Sequence, residues 1–259
     1  MAGLFFTLLP MLGLAGTAVQ ELRLGAGWSA VWLEVEPTYP LDHPTHPGMP
    51  MSPEDAFATG INTQIQRIVS PKQLSGLAEF SGDSARTLDG GTLNSFNQAG
   101  WETWVRASAA DQNSLLTVTG NRPYLIRTSG ERTIMVEGEV RFFRPDWVPD
   151  RYNLVGFGIS GDVTFADFFG PAGETHPLDR IYSLRDGGRW SLVKPGDLIR
   201  NDTAYWIFCN GPSSYAGPVA VDFDGASVGQ LDFGGGADGV QVGVGGDRLD
   251  LDLERLVFT

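Results

Sequence analysis

Three kinds of side chain in this sequence could do chemistry by type and spacing. The first is a thiol. Cys209 is the only cysteine, and the histidines that could activate it are His43, His46 and His176. A catalytic thiolate needs a base beside it. None of the three histidines stands in a cysteine-hydrolase context, and Cys209 closes the apolar run Tyr205-Trp206-Ile207-Phe208. It reads as a small buried hydrophobe. The second is a carboxylate pair. Glu34 and Glu36 fall on one side of a single predicted strand, about 7 Å apart by strand rise, and paired carboxylates can hydrolyse glycosides. Such pairs usually come from separate strands, so a solvated face is the preferred reading. The third is a metal set. Asp42-His43-Pro44-Thr45-His46 offers ligand types, but its prolines exclude the helix that presents two histidines on one face. A solvated loop is expected there.

A glycine–aspartate stretch adds a fourth candidate. Gly234-Gly235-Gly236-Ala237-Asp238 and Gly245-Gly246-Asp247-Arg248-Leu249-Asp250 approximate calcium-binding nonapeptides. The match is imperfect: Arg248 takes a glycine position and Asp252 an apolar one. Calcium at Asp238, Asp247, Asp250 and Asp252 is the minority expectation, and a solvated carboxylate face the majority one. Aromatic residues remain. A flat π-face suits the C–H face of a sugar ring. Trp32 and Trp104 alternate out of phase with their apolar neighbours, and Tyr215 follows a Pro-Ser-Ser turn. These three are the residues expected to be exposed and to bind a glycan. No phosphate loop, dinucleotide fingerprint, Gly-x-Ser-x-Gly elbow or His-Glu-x-x-His motif occurs.

Composition narrows the classes. The chain has 259 residues, 42% of them hydrophobic and 34 of them glycine, with a net charge of −13. It is long enough for a sizeable core, and its many turn residues between short apolar runs predict a β-rich fold. The acidic balance argues against nucleic acid or an anionic membrane as partner. A single cysteine excludes an internal disulfide. Leu4 to Leu14 is an uncharged apolar run followed by Ala15-Gly16-Thr17-Ala18, the plan of a secretory leader spanning residues 1–18. The run lacks the usual preceding basic residue and is too short to span a membrane. An exported protein with no transmembrane span after leader removal is expected.

Taken in order, the elements that would position these residues repeat. Val31, Leu33 and Val35 alternate with Trp32, Glu34 and Glu36 in a strand ended by Pro37. Residues 37–51 hold five prolines and form a loop. Ser52 caps a short helix with Pro53 in its first position. Arg67-Ile68, Trp101 and Tyr124-Leu125-Ile126 mark further strands, the last predicted to enter a hairpin at Ser129-Gly130. The same order returns as Tyr152 to Ile159, a cap at Thr164, Arg180-Ile181, Trp190, and Tyr205-Trp206-Ile207 before Asn210-Gly211. The interval between equivalents changes only across loops, as in a true duplication. The expected organisation is mainly β with short helices, in two related units packed together. The first covers residues 19–140 and the second 152–222, with a stiff connector at 141–151. A glycine-rich β extension at 223–259 reads as the start of a further module.

The motifs Gly27-Trp28-Ser29-Ala30-Val31-Trp32, Thr164-Phe165-Ala166-Asp167-Phe168-Phe169 and Ala204-Tyr205-Trp206 through Gly217-Pro218 resemble a poorly characterised group of secreted bacterial surface proteins. In that group a Gly-Trp-Asn-like strand follows the leader; here Ser29 stands at the asparagine position and Asn153 keeps it in the second unit. The resemblance implies a cell-surface protein with no assigned catalytic residues. The expectation is a non-enzymatic component making structural or adhesive contacts with extracellular glycan or other envelope proteins. A glycan-binding module using Trp32, Trp104 and Tyr215 is the alternative, and a polysaccharide hydrolase stands well behind.

Overall fold

The computed structural model describes residues 17–72, 80, 100–106, 113–140, 144–159, 161–185, 188–223, 227–232, 239–244 and 247–252, the last three segments and 218–223 as backbone only. The fold is mainly β. Strands β1 (Thr17–Leu24), β2 (Gly27–Leu33) and β3 (Val35–Glu36) lead to helix α1 (Pro53–Ala56) and to β4 (Ile65–Pro71), β5 (Trp101–Val105), β6 (Arg122–Thr128) and β7 (Arg132–Val140). Then come β8 (Arg151–Val155), helix α2 (Phe165–Phe169), β9 (Ile181–Arg185), β10 (Arg189–Leu192) and β11 (Tyr205–Cys209). The hairpins β12 (Pro218–Phe223) with β13 (Ser227–Asp232), and β14 (Gly239–Val244) with β15 (Asp247–Asp252), follow. No described helix is long and apolar enough to cross a membrane.

Three antiparallel sheets form three layers. The outer sheet has the order β1-β7-β3, the middle sheet β2-β6-β4-β5, and the second-unit sheet β10-β9-β11-β8. The outer sheet alternates cleanly: Leu22, Leu24, Ile134 and Val136 are buried while Met135 and Val19 face water. The middle sheet is buried on both faces, which is why β6 reads as an almost continuous buried run. One face, with Val31, Leu33, Ile68, Trp104 and Tyr124, packs on the outer sheet and on Phe57. The other, with Trp28, Trp32, Val69, Trp101 and Leu125, packs on the second-unit sheet. Trp101 and Trp190 both meet Trp206 edge-on at 6.2 Å between ring centroids.

The middle and second-unit sheets share strand order and register. With β2 set against β8, β6 against β11, β4 against β9 and β5 against β10, the neighbours coincide. Trp28 faces Arg127 as Tyr152 faces Phe208; Ile68 faces Ile126 as Ile181 faces Ile207; Pro71 faces Trp101 as Leu184 faces Trp190. Details outside the ladders coincide too. The hydroxyls of Tyr124 and Tyr205 accept from the backbone N–H five residues upstream, at Thr119 (2.8 Å) and Arg200 (2.9 Å). Ser52 Oγ caps α1 by accepting from Asp55 N, and Thr164 Oγ1 caps α2 by accepting from Asp167 N.

Two expectations from the sequence fail here. The runs entering Ser129-Gly130 and Asn210-Gly211 are not hairpin arms. β6 lies between β2 and β4, and β11 between β8 and β9. Both edges of each strand are already paired, so the next segment must leave the sheet: β7 joins the outer sheet and β12 pairs with β13. Nor is Val31–Glu36 one strand. The chain passes from the middle sheet (β2) to the outer sheet (β3) at Glu34, so Glu34 and Glu36 do not share one strand.

Candidate functional site

The predicted sugar-stacking residues Trp32 and Trp104 are not exposed. Trp32 is 1% exposed and Trp104 4% exposed. Alternation out of phase with apolar neighbours places a side chain on the opposite face of a strand, and both faces of the middle sheet are covered. Trp32 lies on Gly156 of the second unit, where a Cβ would come within 2.3 Å of its Cγ. Trp104 sits beneath α1, and its Nε1–H donates to Glu54 Oε1. All seven tryptophans are buried. Tyr215 is half-buried: its hydroxyl donates to the Phe168 carbonyl and its ring stands edge-on to Phe168 at 5.8 Å.

The segment around Tyr215 holds a pair that sequence spacing did not reveal. His176 Nε2 is 2.8 Å from Ser213 Oγ, and Ser213 Oγ also accepts from Tyr215 N. Serine and histidine at that distance are two parts of a nucleophile–base arrangement. The His176 ring, however, is 0% exposed and lies 4.2 Å from the Trp147 ring, with Phe169 and Tyr215 around it. Burial pushes its pKa down to about 4, against an opposing pull from the Phe208 backbone. The imidazole is therefore neutral and walled in, and the pair pins the segment to the sheet. The connector reinforces this: Trp147 Nε1–H donates to the Tyr215 carbonyl (2.5 Å) and Arg144 to the Ser214 carbonyl (3.0 Å). Cys209 beside it is buried and donates to the Gly211 carbonyl. Its pKa is pushed up to about 11, by burial first and Asp150 second, which keeps it a thiol.

Glu34 sits at the junction of the two units. Its backbone N–H donates to Gln20 Oε1 (2.8 Å), and its carboxyl packs against Gly158. Oε1 is buried without a hydrogen-bond partner. Burial, and then the charge of Asp202, raise the Glu34 pKa to about 7. A carboxyl near neutrality suits a general acid. The predicted partner Glu36 instead accepts from Gly120 N at 3.0 Å, and the charge that Glu34 meets is Asp202 on the second unit. That neighbour was invisible in the sequence because it depends on how the sheets pack.

The metal expectations divide. His43 Nδ1 accepts from the backbone N–H of His46 (3.0 Å), and both imidazoles lie tilted beside the Tyr39 ring. The loop's own turn uses that nitrogen. Of the calcium candidates, Asp238 lies outside the described residues. Asp247, Asp250 and Asp252 lie on β15, opposite Val244, Gln241 and Gly239. Among the described residues no group of three or more His, Cys, Asp or Glu is arranged to hold a metal. The apolar run before Thr17 also lies outside the described residues; β1 begins at Thr17.

One cavity combines volume with polar groups. It measures about 400 Å³ on the outer face of the second-unit sheet, and its walls include Phe165, Ser183, Arg185, Arg200, Thr203 and Tyr205. Ser183 is 5% exposed, and its Oγ is buried without a hydrogen-bond partner. Arg185 Nη2 donates to Asp197 Oδ2 at 2.8 Å, and Arg200 Nε lies 3.6 Å from Asp202 Oδ1. Tyr205 holds its proton, its pKa pushed up to about 12 chiefly by burial. The volume lies within the range of small-ligand sites. Comparison of the chain with protein-family models, curated proteins and solved structures finds no match.

Proposed function

We propose that this chain is an exported, non-enzymatic surface or envelope component, built by internal duplication of one β unit, that makes structural or adhesive contacts. One observation carries the reading: the aromatic inventory is spent on joining sheets. Trp28, Trp32, Trp101, Trp190 and Trp206 form one cluster between the two units, which favours a rigid body over a hinged or sugar-stacking one. The ionisable groups with displaced pKa values fit the same view. His176 and Cys209 are buried and Glu34 half-buried at joints, each held by packing or backbone contacts. The matched strand order and register of the two sheets support the duplication. The acidic surface favours protein or neutral-glycan partners over nucleic acid, and membership of the secreted surface proteins that the motifs resemble is part of the proposal.

Expression of the full chain in a bacterial host, followed by fractionation and protease treatment of intact cells, tests this reading. Recovery in the envelope or medium, lost when residues 1–18 are deleted, is the expected result. Retention in the cytosol would overturn export. A glycan array adds a second arm. The buried tryptophans predict that Trp32→Phe and Trp104→Phe leave any glycan binding unchanged.

A further inference from the structure

The cavity on the second-unit sheet has a counterpart in the first unit, and there it is filled. By register, Thr203 stands where Arg122 stands in the middle sheet, Val193 where Trp104 stands, and Ser183 where Ser70 stands. Arg122 runs across its sheet over Ser70. Its guanidinium donates to the Pro71 carbonyl (2.7 Å) and to Glu102 Oε2 (2.5 Å), and it is 6% exposed. Arg122 Cζ lies 5.8 Å from the Tyr124 ring centroid, and Trp104 packs on the same buried face. In the second unit both plugs are replaced by small residues, and the Glu102 position holds Ser191. The seryl hydroxyls record the change. Ser70 Oγ donates to the Pro123 carbonyl at 2.7 Å; Ser183 Oγ, at the wall of the open cavity, has no partner.

The polarity of the wall has also inverted. A buried cation fills the first unit's space. In the second, cations line it: Arg200 takes the position of Thr119, and Arg185 that of Lys72. The wall carries two guanidiniums and one carboxylate, Asp197, which Arg185 already engages. Arg200 Nε lies 3.6 Å from Asp202 Oδ1, beyond hydrogen-bond distance, so its N–H groups can still donate to a ligand, beside the unpartnered Ser183 hydroxyl and apolar contacts from Phe165, Val193 and Leu198. A planar guanidinium grips a carboxylate through two parallel hydrogen bonds, and the neighbouring Asp197 and Asp202 carboxylates disfavour a phosphate dianion more than a monoanion. We propose that this cavity binds a small organic carboxylate whose body fills the space that Arg122 and Trp104 occupy in the first unit. The carboxylate can belong to a free acid or to an acidic sugar residue of a glycan. The proposal stands on the cavity and is independent of export.

Titration calorimetry of the full chain tests it with glucuronate, benzoate, a short oligouronate and, as neutral control, glucose. Two variants accompany the wild type: Arg200→Ala, at a largely exposed side chain, and Thr203→Arg, which restores the plug. The expected result is saturable binding of glucuronate or benzoate without binding of glucose. Binding should weaken about tenfold or more in Arg200→Ala, the loss of one charge-assisted contact, and vanish in Thr203→Arg while thermal unfolding stays cooperative. Binding of the oligouronate assigns the site to a glycan residue; binding of the free acids alone assigns it to a small acid. Absence of carboxylate binding by the wild type, glucose binding as tightly, or unchanged binding in Arg200→Ala would each overturn the proposal. If Thr203→Arg does not fold, the wild-type selectivity and Arg200→Ala decide.

Discussion

His176 and Glu34 oppose each other in pH, and their balance can be calculated. His176 is displaced from 6.5 down to about 4. It is neutral in the fold and protonated in the unfolded chain between those values. Its contribution to stability is fully present above pH 6.5 and is lost as pH falls towards 4. Glu34 is displaced from 4.5 up to about 7. It is protonated in the fold and ionised in the unfolded chain between those values. Stability is greatest below pH 4.5 and is lost as pH rises towards 7. At about 1.4 kcal/mol per pH unit, each span is worth roughly 3.5 kcal/mol, with solvent screening of the part-exposed Glu34 trimming its share to about 2. Acidification from about pH 7.5 to about pH 4.5 therefore costs the fold about 2.5 kcal/mol at His176 and returns about 2 at Glu34. The two changes nearly cancel.

Urea unfolding of wild type, Glu34→Gln and His176→Gln at those two pH values exposes the cancellation. Glu34→Gln is expected to be more stable than wild type by about 2 kcal/mol near pH 7.5 and equal to it near pH 4.5. On acidification it should lose about 2 kcal/mol more than wild type does. His176→Gln loses ring packing at both pH values, but its stability relative to wild type should improve by about 2.5 kcal/mol at the acid end. Contributions from other carboxylates are common to all three proteins and drop out of the differences. If Glu34→Gln and wild type keep the same difference at both pH values, Glu34 is not held protonated at the junction. The argument from burial and Asp202 then fails.

Gly156→Ala places a Cβ within 2.3 Å of Trp32 Cγ and is expected to cost about 3 kcal/mol or more, read as a lowered urea midpoint with unchanged slope. Tyr124→Phe and Tyr205→Phe remove matched hydroxyls that accept from the N–H five residues upstream. Each should cost about 1–2 kcal/mol, and a large effect at one site with none at the other would contradict their equivalence. Cys209 should resist a thiol reagent in the native protein and react at once in urea, because it is buried and its pKa is pushed up to about 11.

Much of the framework was legible before any coordinates. The alternation from Val31 marks the end of β2 and runs on into β3, Ser52 and Thr164 announce two helix starts, and the apolar run before Cys209 puts it in the core. What alternation could not show is how many layers lie on a sheet. Alternation puts Trp32 and Trp104 on the far face of their strands, and that face meets a second sheet or α1 rather than solvent. The turn residues Ser129-Gly130 and Asn210-Gly211 mark reversals without naming the partner strand, so central strands passed for hairpin arms. Asp202 beside Glu34, and Ser213 beside His176, are brought together by packing between distant segments, which local spacing does not encode. The cavity left no mark in the second unit's own sequence; it emerges only when Thr203 and Val193 are set against Arg122 and Trp104.

The measurement closest to the central claim is co-sedimentation of the purified chain with isolated bacterial envelopes, with released reducing ends assayed in the same samples. A rigid, non-enzymatic envelope component predicts saturable co-sedimentation and no release above the protein-free control. Failure to co-sediment, or release of reducing ends that is abolished in Glu34→Gln, would contradict it.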